Sequence, residues 1–225
     1  MIVAIIPARG GSKRLPRKNI LPFGGRPLIS WSIAAAKACP SIDQVWVTTE
    51  DQEIAAISAQ CGAKVVCRPH SLACDDTSTF DVVKHCLKEL RERGLKVDTV
   101  IVMQPTNPLR PVSFIEEAIL CFMSKDCDSL ISVSQRPLKT GHIHDGYFYP
   151  SYEFGQQSRL MSALTYENGL LYITKSTLVG GGTFLGDQVY AYLTPRPFDE
   201  VDIDDADDFL VGEAIAQIVR SRLGY

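Results

Sequence analysis

Ile2-Val3-Ala4-Ile5-Ile6-Pro7-Ala8-Arg9-Gly10-Gly11-Ser12-Lys13-Arg14-Leu15-Pro16-Arg17-Lys18 is the stretch on which the fold turns. Residues 2–6 are a continuous apolar run rich in β-branched side chains. Such a run reads as a strand buried on both faces, as in a parallel sheet. It opens into two glycines, a hydroxyl and five cations. Adjacent glycines let backbone N–H groups turn together toward one oxygen-rich ligand. The chain carries a net charge of −3, so this positive knot runs against its background. A polyphosphate receptor is preferred over a solvated basic loop.

Working outward, the same alternation repeats. Apolar runs at 2–6, 44–48, 64–67, 99–103 and 129–133 are separated by segments of helical spacing at 28–39, 51–61, 79–92 and 113–124. This βαβ order predicts an α/β, Rossmann-like, mostly parallel sheet with helices on both faces. Crossovers should be right-handed, and ligands should bind beyond the carboxyl ends of the strands. The informative loops are then 7–19, 49–51, 68–79 and 104–111. After residue 135 the pattern breaks. Residues 136–165 hold Asp145-Gly146 and a cluster of aromatics, which predicts a hairpin excursion serving as a lid or a dimerisation arm. Strands at 170–173 and 189–193 and a helix from about 205 to 222 complete a single domain spanning 1–225.

Composition excludes several classes. No apolar run approaches the roughly 18 residues of a membrane span. The amino terminus begins as a strand, not as a secretory signal. Seven cysteines, Cys39, Cys61, Cys67, Cys74, Cys86, Cys121 and Cys127, contain no C-x-x-C pair. Buried free thiols in a reducing cytoplasm are expected. Basic residues gather in one loop while the balance is acidic, which disfavours nucleic acid as a partner.

A second charged cluster lies near the other end: Asp199, Glu200, Asp202, Asp204, Asp205, Asp207 and Asp208. Capping and dipole complementation account for Asp205, Asp207 and Asp208. Asp202 and Asp204, two apart in extended chain, face the same side and could present two carboxylates to a hard cation. A basic loop for phosphates together with a carboxylate pair for Mg²⁺ points to a nucleoside triphosphate. Neither a Walker P-loop nor a G-x-G-x-x-G fingerprint occurs.

Five segments resemble, in order, motifs of the acylneuraminate (CMP-sialic acid synthetase-like) cytidylyltransferases. They are Ile6 to Asn19, Arg68-Pro69 with Leu72-Ala73 and Asp75, Gln104-Pro105-Thr106-Asn107-Pro108-Leu109-Arg110, Asn168-Gly169-Leu170-Leu171-Tyr172-Ile173, and Asp202-Ile203-Asp204. Asn107 stands where the family usually has serine. The resemblance implies that CTP and a 2-keto nonulosonic acid are joined into a CMP-sugar with release of pyrophosphate. Mg²⁺ is the implied ion, with Mn²⁺ as the alternative, and a homodimer formed through 136–165 is the implied assembly. It further implies nucleotide contacts from Ala8, Arg9, Gly10, Gly11, Ser12, Lys18, Asn19, Arg68, Thr77 and Thr79. Gln104, Thr106, Lys139, Arg159 and Tyr172 correspond to sugar-side positions, and Asp202 and Asp204 to the metal pair. Arg9, Lys18 and Gln104 are the implied catalytic residues.

Other readings stand beside these. One of Thr77, Ser78 and Thr79 should cap the following helix. Tyr172 is either a core residue or a wall of the acceptor pocket. The remaining functional alternatives are a Kdo or other sugar nucleotidyltransferase and a catalytically silent nucleotide-binding module.

Overall fold

The computed structural model describes residues 1–224. In chain order the strands are β1 (Ile2–Pro7), β2 (Pro22–Phe23), β3 (Arg26–Pro27), β4 (Gln44–Thr49), β5 (Lys64–Cys67), β6 (Thr99–Val102), β7 (Ser129–Arg136), β8 (Gly141–His144), β9 (Tyr147–Pro150), β10 (Leu164–Lys175) and β11 (Val189–Leu193). The helices are α1 (Leu28–Ala38), α2 (Gln52–Gln60), α3 (Thr79–Glu92), α4 (Val112–Ser124), α5 (Ser176–Gly181) and α6 (Ala206–Val219).

Alternation along β1 builds two cores. Ala4 and Ile6 face a layer that includes Ile29 and Ile33 of α1, Ile54 of α2, Ile115 and Ile119 of α4, and Ala216 and Val219 of α6. Val3 and Ile5 face the other layer, made by Val83, Cys86, Leu87 and Leu90 of α3 with Val179 of α5. Period-two geometry thus gives one strand two apolar faces, and helices cover both.

Seven strands form one sheet in the order β11-β7-β10-β6-β1-β4-β5. β1, β4, β5 and β6 are parallel, as expected. β10 inserts between β6 and β7 and runs antiparallel to both. The expected strand at 170–173 is the carboxyl-terminal part of this longer one. β10 also slips register against β7 between Glu167 and Tyr172. Gly169 within this slip has φ +75°, a left-handed conformation that glycine adopts without strain.

The excursion after β7 carries the expected hairpin, β8 paired with β9 around Asp145-Gly146. Every residue of both strands is exposed. The glycine triplet at 180–182 lies at the end of α5, where Gly182 closes the helix at φ +104°. Among the described residues no helix is long and apolar enough to cross a membrane. All seven cysteines are free thiols, but only Cys39, Cys86 and Cys127 are buried, and Cys67 and Cys74 are exposed.

The carboxyl-terminal helix packs against the segment that follows the basic loop. Phe23 makes edge-on contacts with Trp31 of α1 at 5.6 Å and with Phe209 of α6 at 5.4 Å. Gly24 N–H donates to Glu213 of α6 at 3.0 Å. Gly212 lies so close that a Cβ there would stand 3.1 Å from the Phe23 ring. This apolar clamp brings the two ends of the chain together.

Candidate active site

One cavity of about 300 Å³ opens at the carboxyl ends of β1, β5 and β6. The loop after β1 contributes Arg9, Ser12, Lys18 and Asn19 to its wall, and the loop after β6 contributes Gln104 and Thr106. Arg68 and Thr77 line it from the chain between β5 and α3, Thr79 from the first turn of α3, and Asp204 enters from the far end of the sequence.

The decisive contact joins the two charged segments. Lys18, with its side chain 11% exposed, donates through Nζ to the Ile203 carbonyl at 2.6 Å and to Asp204 Oδ1 at 3.2 Å. Arg14 binds the other carboxylate oxygen of Asp204 at 2.7 Å. Burial works against ionisation of Asp204, but these two cations outweigh it and hold the carboxyl below its ordinary range. Asp202 shifts the opposite way. The surrounding protein raises it although its surface is open, a hydrogen bond from Thr106 opposes the rise, and the charge on Asp204 adds to it. Ile203 between them is fully buried.

Most of the remaining acids are spoken for. Asp205 caps α6 by accepting from the N–H groups of Asp207 and Asp208, and Asp208 accepts in return from Asp205 N–H at 3.2 Å. Asp199 accepts from Ser134 at 2.7 Å and Arg136 at 2.6 Å, and Glu200 binds Arg136 and Arg196. Five of the seven neighbouring carboxylates are thereby divided between the cap, cations and the cavity; Asp202 does not line that cavity, and Asp207 adds its charge to the first turn of α6.

The basic loop is held from behind by acids that sequence reasoning missed. Glu50 accepts from Gly10 N–H at 2.7 Å and from the Arg68 guanidinium at 2.9 and 3.1 Å. Burial pulls the Arg68 pKa down, and Glu50 resists that shift. Asp51 caps α2 and binds Arg17 at 2.5 Å. It also crowds Gly10, where a Cβ would come within 2.4 Å of Asp51 Oδ2. Gly10 is needed for this close approach, and its N–H is already given to Glu50. Gly11 has nothing within 4 Å of a Cβ position and faces open space. Arg17 binds Asp51 and Glu53 and does not line the cavity, unlike Arg9, Lys13, Arg14 and Lys18. The only sequence signal for Glu50 and Asp51 was their place in a loop leaving a strand.

Asn107 is a hub. Its buried amide donates to the carbonyls of Asn168 at 3.2 Å and Val201 at 3.1 Å, and Ile203 N–H donates to the Thr106 carbonyl at 2.8 Å. Three of the five motifs are thus pinned to one another. Arg110 is fully buried and donates to the Leu170 and Gln104 carbonyls and to Ser32, so it shapes the loop from beneath. Ser78 is the α3 cap, accepting from Asp81 N–H at 3.1 Å, which leaves Thr77 and Thr79 to the cavity.

A family model described as cytidylyltransferase matches residues 3–141. The chain belongs to this family. It is 30% identical over 96% of its length to an N-acylneuraminate cytidylyltransferase of Escherichia coli, covering 52% of that protein. It is 28% identical to a CMP-N,N'-diacetyllegionaminic acid synthase of Legionella pneumophila, covering 99% of both chains. The chain spans about half the length of the first curated relatives it matches, among them the Escherichia coli protein. A solved CMP:2-keto-3-deoxy-manno-octonic acid synthetase complexed with CTP shares the fold, with a TM-score of 0.71 at 16% identity, over 96% of this chain and 98% of that one.

In this member of the family the remaining sequence-predicted residues, Asp202 among them, do not line the main cavity. Ala8 is buried beneath the loop. Tyr172 lines an adjoining chamber that shares Thr79 and Gln104 with the main one. Lys139 stands on the excursion, 5.4 Å over the Tyr152 ring, and Arg159 donates to Gln157 at 2.7 Å. Neither lines the main cavity or the adjoining chamber. Among the described residues no cluster of three or more His, Cys, Asp or Glu side chains is gathered for a metal. A carboxylate pair suits an ion that fills its shell with phosphate oxygens and water, as Mg²⁺ does, and not a resident caged ion.

Proposed function

We propose that this protein joins CTP to a nonulosonic acid, giving a CMP-sugar and pyrophosphate. The observation that carries the reading is the cavity in which Lys18 of the basic loop and Asp204 of the acidic segment stand 3.2 Å apart. A ligand spanning both needs a polyanionic part and a cation-binding part, which a nucleoside triphosphate with its divalent ion supplies.

In this proposal the anomeric 2-hydroxyl of the acid attacks the α-phosphorus in line, its proton passes to solvent, and pyrophosphate leaves. Arg9, Ser12 and Lys18 hold the phosphates and offset charge that builds on them. Arg68, Thr77 and Thr79 face the nucleoside, and Gln104 stands between the two chambers. Asp202 and Asp204 would hold Mg²⁺, which when bound neutralises phosphate charge. Alignment of acceptor and nucleotide supplies much of the acceleration, since no protein nucleophile is required.

The excursion is assigned to a second copy of the chain. β8 and β9 make a sheet of only two strands, and a lone hairpin is marginal in water. Ile143, Tyr147, Phe148 and Phe154 on it are 54–98% exposed. Burying such side chains against a partner offsets the cost of ordering the arm. Lys139 and Arg159 ride on this excursion. Their role toward the sugar requires it to reach over a cavity, its own or the second copy's. A cytoplasmic setting suits the free thiols and CTP.

The test is incubation with CTP, Mg²⁺ and a panel of neuraminic, legionaminic and pseudaminic acids and Kdo, read by pyrophosphate release and by mass spectrometry of the CMP-sugar. Release stoichiometric with one nonulosonic CMP-sugar is expected. Release with CTP alone, release only with Kdo, or none with any acid would overturn the reading.

A further inference from the structure

The chamber adjoining the nucleotide cavity has a volume of about 300 Å³ and an unusual wall. Phe80, Val102, Phe184 and Leu185 make it apolar, with Tyr172 and Phe184 edge to face at 5.9 Å. No Lys, Arg or His lines it. Its one charged group is Glu167, which accepts a hydrogen bond from the Tyr172 hydroxyl.

Glu167 reaches this wall because of the irregularity in β10. Residues five apart in a regular strand point to opposite faces. Here Glu167 pairs opposite Val133 and Tyr172 opposite Ile131, so the segment between them is bulged out of the ladder, with Gly169 at φ +75°. Bulges re-aim side chains beside functional sites. This one turns Glu167 and Tyr172 onto the same face, where they meet.

We infer that Glu167 determines acceptor specificity, taking the N–H of an acylamino substituent while the apolar wall takes its acyl methyl. The inference rests on the cytidylyltransferase reading, which puts the acceptor beside Gln104. An ionised carboxylate accepts hydrogen bonds and does not donate them. Tyr172 satisfies one of its oxygens and leaves capacity for a ligand donor. A carboxylate on the acceptor is repelled from this chamber, so the sugar's acid group must point elsewhere. A hydroxyl in place of the acylamino group has no methyl to seat against Phe184 and Leu185, so it is not held where its O–H would reach Glu167.

The experiment uses a matched pair of nonulosonic acids, acetamido against hydroxyl, on whichever core the panel above shows to be turned over. Wild type, Glu167→Ala and Glu167→Gln are compared by steady-state kinetics, with CTP varied separately. Glu167→Ala should raise KM for the acetamido acid by about 10- to 100-fold, the usual loss for a hydrogen bond to a charged group. The hydroxyl analogue should change by less than about 3-fold, and KM for CTP should stay the same. Glu167→Gln, which keeps an acceptor oxygen, should recover part of the loss. Equal losses for both acids, or a parallel rise in KM for CTP, would mark Glu167 as merely structural and overturn the inference alone. An unchanged KM would overturn it as well. Absence of turnover by wild type with every acid overturns the cytidylyltransferase reading and this inference with it.

Discussion

Replacing Asp204 with Asn lowers turnover by about 10²- to 10³-fold, the scale on which loss of one preorganised charge contact is felt in a transition state. Fold stability changes little. The Asp204 side chain is 41% exposed, so solvent screens its pairing with Arg14 and Lys18, and such pairs contribute about 0–1 kcal/mol. Lys18 also keeps its bond to the Ile203 carbonyl at 2.6 Å. The contrast between a large kinetic and a small thermodynamic loss separates a group that acts on the nucleotide from one that only holds the fold. Initial rates of pyrophosphate release at saturating CTP, set beside a thermal denaturation curve, read both. Near-normal turnover in Mg²⁺ counts against a metal role for Asp204.

Glu50→Ala has the opposite signature. The Glu50 and Arg68 side chains are 7% and 3% exposed and bound at 2.9 Å. Removing one member leaves a buried guanidinium without its counter-charge, which costs about 3–5 kcal/mol. Gly10 N–H loses its acceptor at the same time. The expected result is a large fall in the urea midpoint. Replacing both partners with apolar residues, Glu50→Leu with Arg68→Met, should restore much of that stability, because the stranded charge is gone. It should not restore CTP affinity, since Arg68 lines the cavity. Recovery of stability without recovery of binding identifies the pair as a scaffold that also presents a nucleotide contact. Equal stability of Glu50→Ala and wild type contradicts the assignment.

The parts of this molecule that were legible in the sequence are those set by local rules. Apolar runs and helical spacing located the parallel strands and the helices, because burial on two faces leaves a continuous hydrophobic signature. Asp145-Gly146 marked the hairpin, and Asp205 with Asp208 marked the start of α6. Asp202 and Asp204 stood out because their excess charge had no local explanation.

What escaped depends on partners distant in sequence. Glu50 is ordinary until the fold sets it beside Gly10 and Arg68. Asn107 looked like a departure from a motif, yet its amide ties the Asn168 and Val201 segments to its own loop, which requires two donors on one side chain. Antiparallel insertion of β10 leaves no periodic trace, since its residues alternate in the same way in either direction. Glu167 carries no motif or spacing that marks it, and it becomes part of a chamber through a bulge.

The most direct test is a crystal structure of the protein with CTP and Mg²⁺. The triphosphate should lie within hydrogen-bonding distance of Arg9, Ser12 and Lys18, with a metal ion between it and Asp204. Electron density for the nucleotide in a different cavity, or with its phosphates turned away from residues 9–19, would contradict the claim that opposite ends of this chain act as one site.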